Sequence, residues 1–365
     1  MRSRPWKLAI AFGLIAALLG SGAPAGASDE VVEPGDSIQA AIDDALPGDT
    51  VTIAPGVFHE NLTITTDDIT LRGAGPGRHG TVLMPSSTPT PSACPPQAGE
   101  VAGICVLGGM DVETSSPISD VTIEDLTVDS FPGTGIYARH AVDYTVAHVR
   151  ARANDGYGIA GFFLSGVRYL YSVATDNADP GIYIGDSHDA QAVVLGNTSI
   201  HNGVGGEGFG FLLRDSSNGL VIGNHATRNC IGFHFIDSRF NLVEPLSDWT
   251  VRANTANRNN GACPASPEFP AFSGTGILLG GTHAVRVIRN RVFSNRPSLG
   301  SSFSGGIVVA STLSLGGADP TDNVVSRNVA FHNKPADIVW DLTGTGNRFR
   351  HNLCASSLPS WICDH

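Results

Sequence analysis

Beyond residue 50 the chain is written in short runs of four or five residues in which apolar side chains alternate with others, as at Ile182 and Ile184. A period of two is the signature of a strand with one apolar face. No stretch of this region keeps a 3.6-residue apolar period, which excludes helical repeats. The runs recur in a unit that opens on Gly and closes on Asn: GIYIGDSHD from Gly181, GFLLRDSSN from Gly210, GFHFIDSRF from Gly232, GILLGGTHA from Gly276 and GIVVASTLS from Gly306. A second run follows and ends in two Asn five residues apart: Asn197/Asn202, Asn224/Asn229, Asn254/Asn259, Asn290/Asn295, Asn328/Asn333 and, more weakly, Asn347/Asn352. From Gly to last Asn the interval is 19 residues in four units, beginning at Gly135, Gly158, Gly210 and Gly276. It is 21 from Gly181 and 27 from both Gly232 and Gly306, an insertion of eight at the same place.

A repeat of this length predicts a solenoid. Leucine-rich repeats need Leu at fixed offsets, whereas these units use Ile, Val and Phe. A short strand cannot pair with itself, but stacked on its equivalent one winding away it forms parallel sheets about 4.8 Å apart. Its apolar set then points inward and its alternates outward. The recurrent Asn suits tight corners, because it tolerates left-handed backbone and its amide can bond the Asn above and below. Unit starts at Gly103, Gly135, Gly158, Gly181, Gly210, Gly232, Gly276 and Gly306 give eight clear coils. Weaker ones at either end predict about ten, a rod roughly 50 Å long. A solenoid needs capping. The stretch from Ser37 to Leu46 reads as a short helix with Ser37 as N-cap and Ile38, Ala41, Ile42, Ala45 and Leu46 on one face.

The first 27 residues read as an export leader, with Arg2, Arg4 and Lys7 before an uncharged apolar run from Leu8 to Leu19 and a small-residue cleavage site at Ala25–Ala27. That run is too short to span a bilayer, and no later one reaches spanning length. The expected organisation is therefore a leader over 1–27, a cap segment over 28–48 and a β-helical domain over 49–365, secreted, without stable membrane insertion, and monomeric. Without the leader, 19 basic residues face 34 acidic ones, which argues against nucleic acid as a partner. Six cysteines and no CxxC in an exported chain predict disulfides rather than a zinc or thioredoxin-type site. Fifteen connectivities exist for six cysteines, and the repeat favours neighbours: Cys94–Cys105, Cys230–Cys263 and Cys354–Cys363. The second would staple stacked turns and tie down the insert from Pro264 to Ser273; the third would pin the carboxy-terminal end.

The segment from Pro34 to Ile64, PGDSIQAAIDDALPGDTVTIAPGVFHENLTI, resembles the amino-terminal signature of secreted right-handed parallel β-helix proteins, the pectin-lyase-like superfamily. The GI-x-x-x-x-S…GN repeat is similar to that group's generic repeat, and the resemblance runs from Val31 to nearly the end. It implies an all-β, right-handed parallel β-helix and a polysaccharide as partner. It does not select among lyases, hydrolases, epimerases, esterases and noncatalytic members.

In such a rod, function is expected on the outward face of one sheet. Positions two, four and five after the coil Gly give Tyr137, Arg139 and His140, then Tyr183 and Asp186, then Arg214 and Asp215, then His234 and Asp237, with His188 and Arg239 just beyond. Asp186, Asp215 and Asp237 share one position in three stacked coils, so neighbouring carboxylates would lie about 5 Å apart. Their repulsion would be offset by Ca²⁺, by Arg214 and Arg239, or by a raised pKa. One reading is a polysaccharide site: Asp186, Asp215 and Asp237, with or without Ca²⁺, neutralise or position a sugar while Arg214 or His234 acts as base at C5 for β-elimination, or a carboxylate pair hydrolyses a glycosidic bond, and Tyr137, Arg139, Tyr183, His188 and Arg239 bind substrate. The other is that each Asp is a corner bonding its own backbone. His188 sits in DSHD (Asp186 to Asp189), similar to the D-P-H-D of alginate C5-epimerases with Ser for Pro, and also in register with DSSN one coil on. The polygalacturonase pattern is absent, and with Met84 and Met110 as the only methionines outside the leader, copper delivery is not expected. The two eight-residue inserts leave one corner two coils apart and would wall a cleft. A carbohydrate-active enzyme, lyase- or epimerase-like on a uronic-acid glycan, stands beside a noncatalytic glycan-binding or cell-envelope β-helix.

Overall fold

A computed structural model describes residues 31–89, 94, 101–203, 208–239, 246–266 and 270–363. The expected leader lies outside the described residues, as does most of the Pro/Ser-rich stretch around Cys94. The alternating runs become short strands that each pair in parallel with their equivalents one winding away, building three sheets of twelve, eleven and twelve strands. In chain order each winding lays a strand on the third sheet, then the first, then the second. The first sheet runs from Val31–Val32 to Arg348–Arg350, the second from Gly56–His59 to Leu353–Cys354, and the third from Leu62–Ile64 to Ser357–Leu358. The chain is thus a parallel β-helix.

The register follows the coil glycines. One column on the third sheet reads Ile104, Ile136, Ile159, Ile182, Phe211, Phe233, Ile277, Ile307, Ile338, each the residue after or aligned with the residue after a unit start. These side chains are fully buried in the bore and stack on like neighbours, Phe211 and Phe233 with ring centroids 4.6 Å apart. Burial of each stabilises by about 1.5–3 kcal/mol relative to exposure. The expected cap forms: helix Ile38–Asp44, with the Ser37 side chain accepting from the Ala40 amide and Ile38 and Ile42 buried in the same core. Ala41 and Ala45 pack against it, but Leu46 lies beyond the helix and is exposed, a correction to the expected face. The helix ends at Asp44, two residues short of Leu46, so the apolar stripe no longer has a helical turn to carry it.

The asparagines form two buried ladders. In one, Asn154, Asn177, Asn202, Asn229, Asn259, Asn295 and Asn333 each pass backbone N–H and side-chain NH₂ to the carbonyl oxygen of the next. The last donates to Asp337, whose other oxygen accepts from the Ala355 and Ser356 amides, so no donor is stranded at the end. The second ladder runs Asn197, Asn224, Asn254, Asn290, Asn328, Asn352. Asn347 does not pair with Asn352 in the way the other pairs do: it accepts from Asn323 at the corner before, in register with Asn323/Asn328, and the position five residues past Asn352 holds Ser357. The coil glycines make room for the ladder. A Cβ on Gly210 would meet the Gly232 carbonyl at 2.5 Å and the Asn229 amide nitrogen at 2.8 Å.

All three neighbour disulfides are present, Cys94–Cys105, Cys230–Cys263 and Cys354–Cys363. The second sits beside a two-way backbone bridge between Cys263 and Phe272 that closes the insert.

Because Asn229 links the coils on both sides, Asn229→Ala strands the buried Asn202 backbone N–H, removes a bond to the Ser199 carbonyl and takes the side-chain donor away from Asn259 Oδ1. Each buried orphan costs about 1–3 kcal/mol, so this variant is expected to lose at least ~3 kcal/mol in urea unfolding. An exposed corner change such as His201→Ala, one residue before the ladder, should cost under ~0.5 kcal/mol. Equal losses would remove the ladder from the account of stability.

Candidate functional site

The outward face of the third sheet is not open along its length. Its first outward column reads Cys105, Tyr137, Ala160, Tyr183, Leu212, His234, Leu278, Val308, and every one of these is buried. They form a second apolar cluster outside the bore, into which Cys94 and Phe272 also pack. Two disulfides join this cluster, and Cys94 and Phe272 roof part of the face.

Three expected site residues change meaning. His234 is 1% exposed, between Phe209 (centroids 4.9 Å) and Phe272 (5.7 Å), with neither ring nitrogen hydrogen-bonded, and burial drives its pKa down to about 3. It is neutral and out of reach, so it is not a base for a substrate on this face. Tyr183 is fully buried, packed on Phe162 at 4.8 Å and Tyr157 at 5.0 Å, and burial holds its pKa well above the usual phenol value. Tyr137 lies on Phe162 at 5.1 Å. Both tyrosines point outward as expected, but into the second cluster rather than toward a ligand. Gly185 permits this, since a Cβ there would collide with the Tyr183 ring and hydroxyl.

The polar group sits one step on, at the corner from the third sheet to the first. Gly185, Arg214 and Ile236 pair in register, and the Asp186, Asp215 and Asp237 that follow are linked in turn by backbone bonds: Asp186 N–H to Arg214 O, Asp215 N–H to Ile236 O, Asp237 N–H to Gly280 O. The aspartate column expected from the repeat is therefore real. Asp186 and Asp215 adopt left-handed backbone, with φ of 51° and 46°. Their side chains are 6% exposed and that of Asp237 is sealed.

What offsets the repulsion is arginine and backbone. The Arg214 guanidinium lies 3.9 Å from Asp186 and 3.8 Å from Asp215, above the Tyr183 ring at 5.8 Å. Burial works to lower its pKa, and Tyr183, Asp186 and Asp215 outweigh that and hold it above the ordinary value. Asp215 accepts from the Ser238 amide at 2.7 Å and from its hydroxyl. Asp237 accepts from the Arg239 amide two residues on, the self-bonding corner, and faces the Arg239 guanidinium at 3.6 Å. Burial nevertheless raises the Asp237 pKa. Of the three offsets weighed, calcium is not the one that these carboxylates point to: among the described residues no group of three His, Cys, Asp or Glu side chains is placed to hold a metal ion.

Around this column, Arg139 lies three coils from Arg214 on the same outward column, its guanidinium 4.5 Å above the Phe163 ring. His188 and Arg239 are exposed. The insert from Ser311 to Val324 folds back onto the column, its Thr312 hydroxyl donating to the Asp237 carbonyl. It walls a pocket lined by Arg239, Gly281, His283, Ala318, Asp319 and Thr321. The other insert includes residues 240–245, outside the described residues. His283, Asp319 and the aromatic floor of Tyr157 and Phe162 were missed in the sequence. His283 sits three residues past the strand that ends at Gly280, an offset that the repeat could have flagged.

Residues 97–245 match the family model described as right handed beta helix region. No curated protein sequence matches the chain. Among solved structures, the A-module of mannuronan C-5 epimerase AlgE4 from Azotobacter vinelandii aligns over 87% of this chain and 94% of its own, at 17% identity and a TM-score of 0.55. The AlgE6 A-module of the same organism covers 86% and 88% at 18% identity and 0.57. The periplasmic alginate epimerase AlgG covers 89% and 84% at 13% identity and 0.55. At these identities the likeness is one of fold, a right-handed parallel β-helix.

A histidine in an unfolded chain takes up its proton near pH 6.5. Buried His234 does so only near pH 3, so between these values the unfolded chain binds more protons and stability falls as pH drops. His234→Leu, which continues the Leu212 and Leu278 column, should flatten the stability–pH curve in that window. Identical acid-unfolding curves for the two proteins would contradict this burial.

Proposed function

We propose that this is an exported β-helix protein, its leader removed after Ala27, that acts on a uronic-acid-containing polysaccharide by proton abstraction at C5, the step shared by epimerases and lyases. The observation that carries the reading is Arg214, held between two nearly buried carboxylates at the corner, with exposed His188 two residues beyond Asp186. A uronate C5 proton becomes acidic only when the adjoining carboxylate is neutralised in the transition state. Arg214 supplies that charge, and Asp186 and Asp215 fix its direction. His188 is the base, since His234 is sealed in the second cluster. Removal of the C5 proton leaves an enolate-like carboxylate. Return of a proton to the opposite face gives the epimer, and loss of the O4 substituent gives an unsaturated end and a cleaved chain. Arg139, Arg239 and His283 bind sugar on either side; Tyr137 and Tyr183 are positioning residues. Three disulfides suit an oxidising compartment outside the cytosol. The alginate epimerases among its structural neighbours support the substrate class.

A second reading is favoured by one observation, the buried apolar cover over much of the same face. In that reading the protein binds the glycan without turning it over.

The test is incubation with polymannuronate, polyguluronate and polygalacturonate, following C5 configuration by NMR and unsaturated ends by ultraviolet absorbance. Arg214→Ala and His188→Ala should each lower turnover ~100-fold or more, while His234→Leu stays within about threefold. Full activity in both of the first two variants would sink the site assignment. Binding without turnover on every polymer would select the second reading.

A further inference from the structure

The charge of this chain is lopsided. Residues 28–251 carry nine Arg and Lys against 28 Asp and Glu, whereas residues 252–365 carry ten against six. The fold turns that imbalance into a surface. On the first sheet one outward column runs Thr250, Arg286, Val324, Arg348, and the next runs Arg252, Ile288, Ser326, Arg350. At the corner just beyond, Arg289 and Arg327 occupy one position in consecutive coils. All six arginines are exposed. Arg72, Arg152, Arg168, Arg214 and Arg239 each face a carboxylate, but no ion pair among the described residues involves these six. Arg252, Arg286, Arg289 and Arg327 line one shallow groove with Thr250 and Ile288. In the two preceding coils the same two columns hold Val193, Leu195, Leu220 and Ile222, without charge. Asp248 and Asp322 stand at the opposite edge of the sheet, Asp322 4.0 Å from His283.

We propose that this arginine face is a second binding surface, distinct from the corner site, for an acidic polysaccharide lying against the rod. Arg289 and Arg327 stand one coil apart, about 4.8 Å, and Arg286 and Arg348 two coils apart, a row of charge along the rod that suits a polymer bearing one carboxylate on every sugar better than it suits a single anion. Guanidinium groups pair with carboxylates in two-point fashion, and the flanking Thr250 and Ser326 hydroxyls suit sugar hydroxyls. A polyanion is repelled by the acidic remainder of the molecule, so this face is where long-range attraction would deliver it. The polymer class rests on the reading in the previous subsection; the surface itself does not.

The experiment measures binding of the full chain to immobilised polymannuronate and polygalacturonate at low salt, in an Arg214→Ala/His188→Ala background so that no polymer is consumed. Arg286→Ala/Arg289→Ala/Arg327→Ala should weaken binding ~10-fold or more and flatten its salt dependence. The charge-matched triple Arg78→Ala/Arg150→Ala/Arg168→Ala should leave it within about twofold, and replacement of the first three by Lys should restore it in part. Unchanged melting temperatures exclude unfolding as the cause. Unaltered binding in the first triple, equal loss in the control triple, or binding to anionic phospholipid vesicles or nucleic acid in place of polyuronates would overturn the proposal. Absence of turnover in the otherwise unaltered protein would count against the corner site alone, since the binding measurement does not depend on it.

Discussion

Everything in this molecule depends on one winding lying in fixed register over the next. Parallel strands alone do not ensure this, because a slip of two residues preserves the apolar face and most backbone bonds. The asparagine ladders supply what is missing. Each buried Asn must find the next at hydrogen-bond distance, so a slip in any coil would strand several donors inside the protein. The ladder through Asn177 and Asn229 in turn demands a glycine in each coil, since the amide occupies the space a Cβ would need at Gly158 or Gly210. The Gly-to-Asn interval along the chain is thus the trace of a contact between residues that touch only after winding.

That register decides where chemistry can lie. It stacks Asp186, Asp215 and Asp237, and it places Arg214 on the same face as the carboxylates it answers. The same stacking gathers Tyr137, Tyr183, Leu212, His234 and Leu278 into a second apolar layer outside the bore. Such a layer is affordable only because disulfide-held inserts cover it, and it leaves the polar groups of the face concentrated at the corner. The arginine face has the same origin: residues spread over a hundred positions of sequence fall into two columns and a corner.

The fold was therefore legible to an unusual degree. Alternating apolar runs, the coil glycines and the paired asparagines specify parallel coils, and the repeat favours, without fixing, the neighbour pairing of the six cysteines. The exceptions are local. Asn347 matched the spacing but belongs to the corner before, stacked on Asn323, and Ser357 stands where the next ladder asparagine would fall. Leu46 matched the helical face but the helix stops before it.

The sequence by itself determined the winding, the inward set of side chains and the stacking of the three aspartates, because all of these follow from periodicity and local spacing; among fifteen possible disulfide connectivities it only favoured the one found. Only the tertiary structure decided which outward residues meet solvent. Outwardness is a property of the strand, but exposure depends on what other segments lay over it, and Phe272, from an insert thirty-eight residues past His234, converts that histidine from a base into a neutral core residue. Burial is a sum over the whole chain, and no local pattern contains it.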